Sequence, residues 1–279
     1  MNHLAKPASP VGDETKLAAL RRDFSLPARQ LLSRAQADAL RRAHQFTQPH
    51  EEGNLACWRF GDQERLIVLV HGWSGRGTDL LPFVPPLRAA GFSVVLFDLP
   101  AHGDSSGSVA SPVHARRALL TMCKALGEVH GLVAHSVGSA AALWTFRERV
   151  RVRASVHLSG PFSMAAQLRR MSAACGLGEQ ATKAFFVWVE GLTSEPIATR
   201  DLDVLLPSLP HRGLIFHAPE DRVVPFAASQ RLHDVWPGSE LVPCSGLGHR
   251  RLLDDVGIVS RSVDFLAASL REQRDGASK

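Results

Sequence analysis

The chain has only four cysteines in 279 residues, Cys57, Cys123, Cys175 and Cys244, and no two form a CxxC pair or a metal-ligand spacing. That excludes a zinc ribbon and a dithiol redox motif, and predicts reduced thiols. An apolar signal core is also missing from Met1-Asn2-His3-Leu4-Ala5-Lys6, so a cytoplasmic location is expected. No uncharged apolar run approaches the ~20 residues of a membrane span, and no membrane is expected among the partners.

The basic residues are not gathered in one place. Net charge is +5, and arginine supplies nearly all the base as scattered pairs such as Arg21-Arg22, Arg116-Arg117 and Arg250-Arg251. A nucleic-acid reader would cluster them on one element with aromatics between. Solvated helix faces are the expected setting, and nucleic acid is not an expected partner. Gly72, Gly75 and Gly77 lack the spacing of a dinucleotide fingerprint. Neither a metal nor an organic cofactor is expected, and no internal repeat appears.

What remains is ordinary globular material. An apolar content of 45% with 21% charged residues argues against wholesale disorder, and the length suits one large α/β domain or two small ones. Leu66–Val70 and Ser93–Phe97 are continuous apolar runs, with shorter ones at 132–134, 154–158 and 214–216. Strands without alternation are buried on both faces. Helix-length segments at 79–90, 114–127 and 139–149 separate them, which predicts a doubly wound, mostly parallel sheet. Residues 44–48 and 54–60 flank a glycine-containing turn and predict a hairpin.

Two regions depart from this rhythm. Residues 1–15 are polar and expected to fray, whereas 17–20 and 27–44 have helical spacing, with Leu31, Leu32, Ala35, Ala39 and Leu40 on one side. Residues 1–45 therefore read as an N-terminal helical extension packed on its own body. Residues 163–211 contain no convincing strand but show helical patterns at 164–174 and 179–192. They read as a helical cap inserted into a core of 46–162 and 212–279.

The chemistry gathers around Gly131-Leu132-Val133-Ala134-His135-Ser136-Val137-Gly138-Ser139. An apolar run ends at a serine between small residues, and a helix-compatible stretch follows at once. That is the pattern of a nucleophile elbow, here reading A-x-S-x-G. A serine needs a base, and the base an orienting acid. Asp221 lies in a loop after the 214–216 run, and His249 follows a strand-like run at 240–244 within Ser245-Gly246-Leu247-Gly248-His249. Glu220 adjoins Asp221 as a rival acid, and the residues by themselves leave both open. After the 154–158 run no carboxylate stands before Glu179.

Serine, acid and histidine in this order, with His71-Gly72-Trp73 and Asp98-Leu99-Pro100-Ala101-His102-Gly103-Asp104-Ser105 after earlier strands, resemble the α/β-hydrolases of the bacterial serine-hydrolase kind over residues 54–271. The resemblance implies the α/β-hydrolase fold with a helical cap. It implies Ser136 as nucleophile, His249 as general base then acid, and Asp221 as its orienting carboxylate. It also implies an oxyanion hole from the backbone N–H groups of Trp73 and Val137. A serine at the elbow excludes the dehalogenase and epoxide-hydrolase branches, which use aspartate there.

The expected reaction is cleavage of a small-molecule ester through an acyl-enzyme, by a monomer or homodimer. Thioesterase, peptidase or acyltransferase chemistry are alternatives, and a non-catalytic binding protein is the alternative of another class. His135, Met171, Phe185 and Trp188 are candidate substrate contacts. For the last three, packing within the cap is the first expectation.

Overall fold

The computed structural model describes residues 10–148, 150–160, 163–197 and 209–276. Eight strands form one sheet: β1 (His44–His50), β2 (Gly53–Phe60), β3 (Leu66–Val70), β4 (Ser93–Phe97), β5 (Gly131–His135), β6 (Ala154–Leu158), β7 (Arg212–His217) and β8 (Ser239–Pro243). Their order is β1-β2-β4-β3-β5-β6-β7-β8. The β1–β2 hairpin joins β4 antiparallel, and every pairing from β4 to β8 is parallel.

Every residue of β3, β4, β5 and β6 is buried, because both faces are covered. Val68, Val70, Leu132 and Ala134 join one core with helices α4 (Pro112–Leu126) and α5 (Val137–Arg147). Ile67, Leu69, Val94 and Val133 join the opposite core with α3 (Val84–Ala89) and α9 (Val256–Gly276). Register fixes where the loops emerge. Ala134 pairs with Val70, His135 with Leu158, and Leu158 with Phe216, so the chain leaves β3, β5, β6 and β7 at one sheet edge.

Several expected boundaries move. The helix expected over 79–90 is a 3₁₀ segment, Gly77–Phe83, followed by α3. Pro82, Pro85 and Pro86 withhold the amide donors that one continuous helix would need. The expected fraying at 1–15 is corrected in part. Residues 1–9 lie outside the described residues, but α1 runs Pro10–Ser25.

The helix expected over 27–44 shrinks to α2, Arg34–Leu40, and Leu31 is 93% exposed rather than on a packed face. Ser33 caps α2 by accepting from the Gln36 N–H, while Gln36 Oε1 accepts from the Ser33 N–H. This capping box starts the helix at that point. Between β6 and β7 lie α6 (Met164–Ala174) and α7 (Glu179–Thr193), with 198–208 of the expected cap outside the described residues. α8 (Phe226–Asp234) follows β7. No helix among the described residues is long and apolar enough to cross a membrane.

Candidate active site

Ser136 stands between β5 and α5 with φ 51° and ψ −121°, a conformation that non-glycine residues rarely adopt. Such a residue carries on the order of 1–3 kcal/mol of strain. The surroundings hold it: its N–H donates to the Leu158 carbonyl at 2.9 Å, and its carbonyl receives the Ser139 N–H at 2.9 Å. Small neighbours are a steric demand. A Cβ on Gly138 would stand 2.5 Å from the His71 carbonyl oxygen and 2.6 Å from that of Val70. Ala134 is fully buried, and its methyl is accommodated where the motif more often has glycine.

His249 approaches from the loop after β8. Gly246 and Gly248 both have positive φ there, at 85° and 61°, a turn that side chains would oppose. His249 Nδ1 lies 2.7 Å from Asp221 Oδ2, and its Nε2 lies 3.0 Å from Ser136 Oγ. A carboxylate only accepts, so Nδ1 carries the proton and Nε2 accepts from the serine hydroxyl. The rival Glu220 goes elsewhere: its Oε1 accepts from the Gly248 N–H at 3.0 Å, tethering the histidine loop.

Asp221 is fixed at both oxygens. Oδ1 accepts from the N–H groups of Val223 (2.8 Å) and Val224 (3.0 Å). Oδ2 faces His249 and also His217 Nε2, 3.3 Å away. His217 Nε2 is 3.0 Å from the Val224 carbonyl, which can only accept, so it carries the proton, and its Nδ1 accepts from Ser229 Oγ at 2.6 Å. Burial by itself would raise the Asp221 pKa. The bonds from His217, His249 and Val224 outweigh it and hold the carboxyl well below the usual carboxylate range.

The two turns flanking this site are interlocked. His71 Nδ1 donates to the Gly72 carbonyl at 2.8 Å, and its Nε2 accepts from the Leu99 N–H at 2.8 Å. His102 Nδ1 donates to the Pro100 carbonyl, and its Nε2 accepts from the Ser74 N–H at 3.1 Å. Asp98 accepts from the N–H groups of Gly77 and Asp104 and pairs with buried Arg76. Both histidines are therefore neutral donor–acceptor bridges. Burial pushes His102 down to about 4 and His71 well below its ordinary value.

A cavity of about 270 Å³ opens at Ser136. Its strand-end wall holds Trp73, Ser136, Val137, Val223 and Val224. Helices supply the opposite side, with Asp23 and Phe24 from α1, Met164, Gln167 and Met171 from α6, and Pro112 at the start of α4. Both residues expected to offer oxyanion donors thus border the serine. Val137 is the first residue of α5, where an N–H has no intrahelical acceptor.

Of the four expected substrate contacts, Met171 is among the lining residues. His135 sits behind His249, its ring 4.9 Å away and its Nε2 donating to the His249 carbonyl at 2.9 Å. Burial, helped by the nearby His249 ring, lowers it to about 3. Phe185 and Trp188 stack on each other behind Phe24 rather than lining the cavity. Sequence reasoning missed Asp23 and Phe24. The spacing of Leu17, Leu20 and Phe24 marks an apolar stripe on α1, but not what the stripe meets. Among the described residues, no three His, Cys, Asp or Glu side chains form a group that could hold a metal ion.

Comparison with known proteins agrees with this topology. Residues 65–175 match the family model described as alpha/beta hydrolase fold. No curated protein sequence matches the chain. Among solved structures, an esterase from Pyrococcus furiosus superposes with a TM-score of 0.65 at 17% identity, covering 89% of this chain and 98% of its own. A monoacylglycerol lipase from Paleococcus ferrophilus gives 0.61 at 20% identity, over 77% and 99%. An esterase from Exiguobacterium antarcticum gives 0.59 at 17% identity, over 80% and 99%. With the sheet centre matched by family and most of the chain matched by structure, this is a protein of the α/β-hydrolase fold.

Proposed function

We propose that the protein is a serine hydrolase that cleaves a carboxylic ester of a small molecule through an acyl-enzyme. The observation that carries this reading is the continuous Asp221–His249–Ser136 hydrogen-bond chain ending in an apolar cavity. Ser136 Oγ attacks the ester carbonyl while its proton passes to His249 Nε2. Asp221 holds the Nδ1–H tautomer and stabilises the imidazolium that forms. The carbonyl oxygen gains negative charge and takes hydrogen bonds from the backbone N–H groups of Trp73 and Val137, a pair of donors of the kind worth about 3 kcal/mol each.

His249 then protonates the leaving alkoxide, and the acyl group stays on Ser136. Water enters, gives a proton to His249 and attacks the ester carbon, and the collapsing intermediate releases the acid and restores the serine hydroxyl. The esterases and lipase among the fold's solved structures support this reaction class.

A fluorophosphonate probe tests the proposal directly. The expected result is a single adduct on the peptide bearing Ser136, together with hydrolysis of p-nitrophenyl esters, and loss of both in Ser136→Ala. A folded protein that neither labels at Ser136 nor turns over any ester would overturn it and favour a binding role for the cavity.

A further inference from the structure

Helix α1 comes from the N-terminal region, far in sequence from the triad, yet it reaches the cavity. Leu17, Leu20 and Phe24 are buried along one stripe of the helix, which packs on α7. Phe24 meets Phe185 edge-on at 5.6 Å and Trp188 at 6.2 Å. Polar ties hold the rest of the helix. Lys16 Nζ donates to the Gly176 carbonyl at 3.1 Å, the Gly178 N–H donates to Asp13 Oδ2 at 3.3 Å, and the Arg21 guanidinium lies 5.6 Å over Trp188. At its end the Ser25 carbonyl receives the Ala110 N–H at 2.8 Å. The helix is thus docked at both ends, and the Phe24 ring lines the same cavity as Ser136 while remaining only 6% exposed.

We infer that Phe24 is a specificity-determining residue, the wall that limits how long an acyl group the cavity accepts. The inference rests on the ester-hydrolase reading above. The physical reason is the position of the ring. It is braced from behind by Phe185 and Trp188, so it cannot retreat, and from the front it occupies space that methylenes of a longer chain would need. A braced aromatic wall of this kind gives a sharp limit, because interiors are close-packed and do not yield continuously. Met164 and Met171 on the facing helix are flexible and adapt to shape, so they set no limit of comparable sharpness.

The test compares kcat/KM for p-nitrophenyl butanoate and octanoate in the full chain and in Phe24→Ala, Phe24→Leu and Phe24→Trp. Each methylene newly buried gains roughly fourfold in binding. Phe24→Ala is therefore expected to raise the octanoate-to-butanoate ratio about tenfold or more, Phe24→Leu by less, and Phe24→Trp to lower it. A merely structural role would depress both esters alike and leave the ratio fixed. Phe24→Leu and Phe24→Trp keep the question open to experiment even if the alanine variant does not fold. An unchanged ratio in variants that still label at Ser136 overturns the inference and leaves the ester-hydrolase reading standing. Absence of both labelling and turnover in the wild type overturns that reading and this inference with it.

Discussion

The two walls of the cavity are built by different physics. The strand-end wall carries Ser136, Trp73 and the loops of Asp221 and His249. Its side chains are placed by backbone turns, buried hydrogen bonds and a serine with positive φ. On the helical wall, Phe24, Met164 and Met171 are placed by packing, and α1 and α6 arrive from segments about 140 residues apart in the chain. The proposed chemistry demands fixed atoms, and loops anchored to a buried sheet supply them. Selection among substrates demands shape, and side chains from several helices can supply it.

The largest expected effect comes from breaking the strand-end wall at one atom. In Asp221→Asn the remaining amide oxygen is best satisfied by the N–H groups of Val223 and Val224, which now hold Oδ1. The NH₂ then faces His249 Nδ1 and favours the tautomer protonated on Nε2, which cannot accept the serine proton. We expect kcat to fall about 10³–10⁴-fold with KM little changed, and the melting temperature to fall because the NH₂ also meets the His217 Nε2–H where the carboxylate accepted. A variant retaining more than a tenth of wild-type kcat would show that Asp221 does not orient the base.

The same contrast explains which parts of the molecule were legible in the sequence. Leu66–Val70 and Ser93–Phe97 announce buried strands because their β-branched runs lack any polar alternation. Ser136, Asp221 and His249 could be ordered along the chain because each follows a strand, although β8, ahead of His249, is only partly buried. Phe24 could not be placed. An apolar stripe states that a helix buries one face, but the partner of that face depends on packing between segments distant in sequence. Residues 27–33 failed for another reason. Their leucines mimic helical spacing, while Leu31 points into solvent and the backbone is used to bind other loops.

Acid should destabilise the sheet and the turns that leave it, and the effect is intermediate in size. His102 and His211 are held down to about 4, and His135 and His157 to about 3, in each case chiefly by burial. In the unfolded chain they would titrate near 6.5. Between pH 6.5 and 4 the unfolded state therefore binds more protons than the folded one, and stability falls as pH drops through that window. The slope is at most about 1.4 kcal/mol per pH unit for each such histidine. Asp221 adds to the loss only below about pH 4, because its folded pKa lies beneath its unfolded one.

Helices α1, α6 and α7 contain no histidine, so they contribute nothing to this slope. Urea midpoints measured across the window should fall steadily, and His157→Gln should flatten the dependence by one histidine's share. A midpoint constant from pH 6.5 to 4 would contradict the assignment of these rings as neutral in the folded state.

The smallest expected effect tests whether the two walls are independent. The segment that leaves α1 does more than connect it to α2. Gln30 Nε2 donates to the Ser74 carbonyl at 2.5 Å, and the Ala28 N–H donates to Ser74 Oγ at 3.1 Å. Arg29 reaches the carbonyls of Gly103, Ser105 and Gly107 at 2.7–2.8 Å. Ser74 itself has φ 51° and directly follows Trp73, whose N–H is a proposed oxyanion donor. The N-terminal segment thus steadies a strained residue on the strand-end wall while α1 shapes the other.

Gln30→Ala removes one exposed donor, a net loss of about 1 kcal/mol by the usual worth of such a bond. If that loss is felt in the geometry of the Trp73 N–H, kcat falls about fivefold, with KM, the octanoate-to-butanoate ratio and the melting temperature nearly unchanged. If instead the acyl ratio shifts and kcat does not, the segment acts only through α1. The separation of walls would then be the wrong description of how this cavity is held.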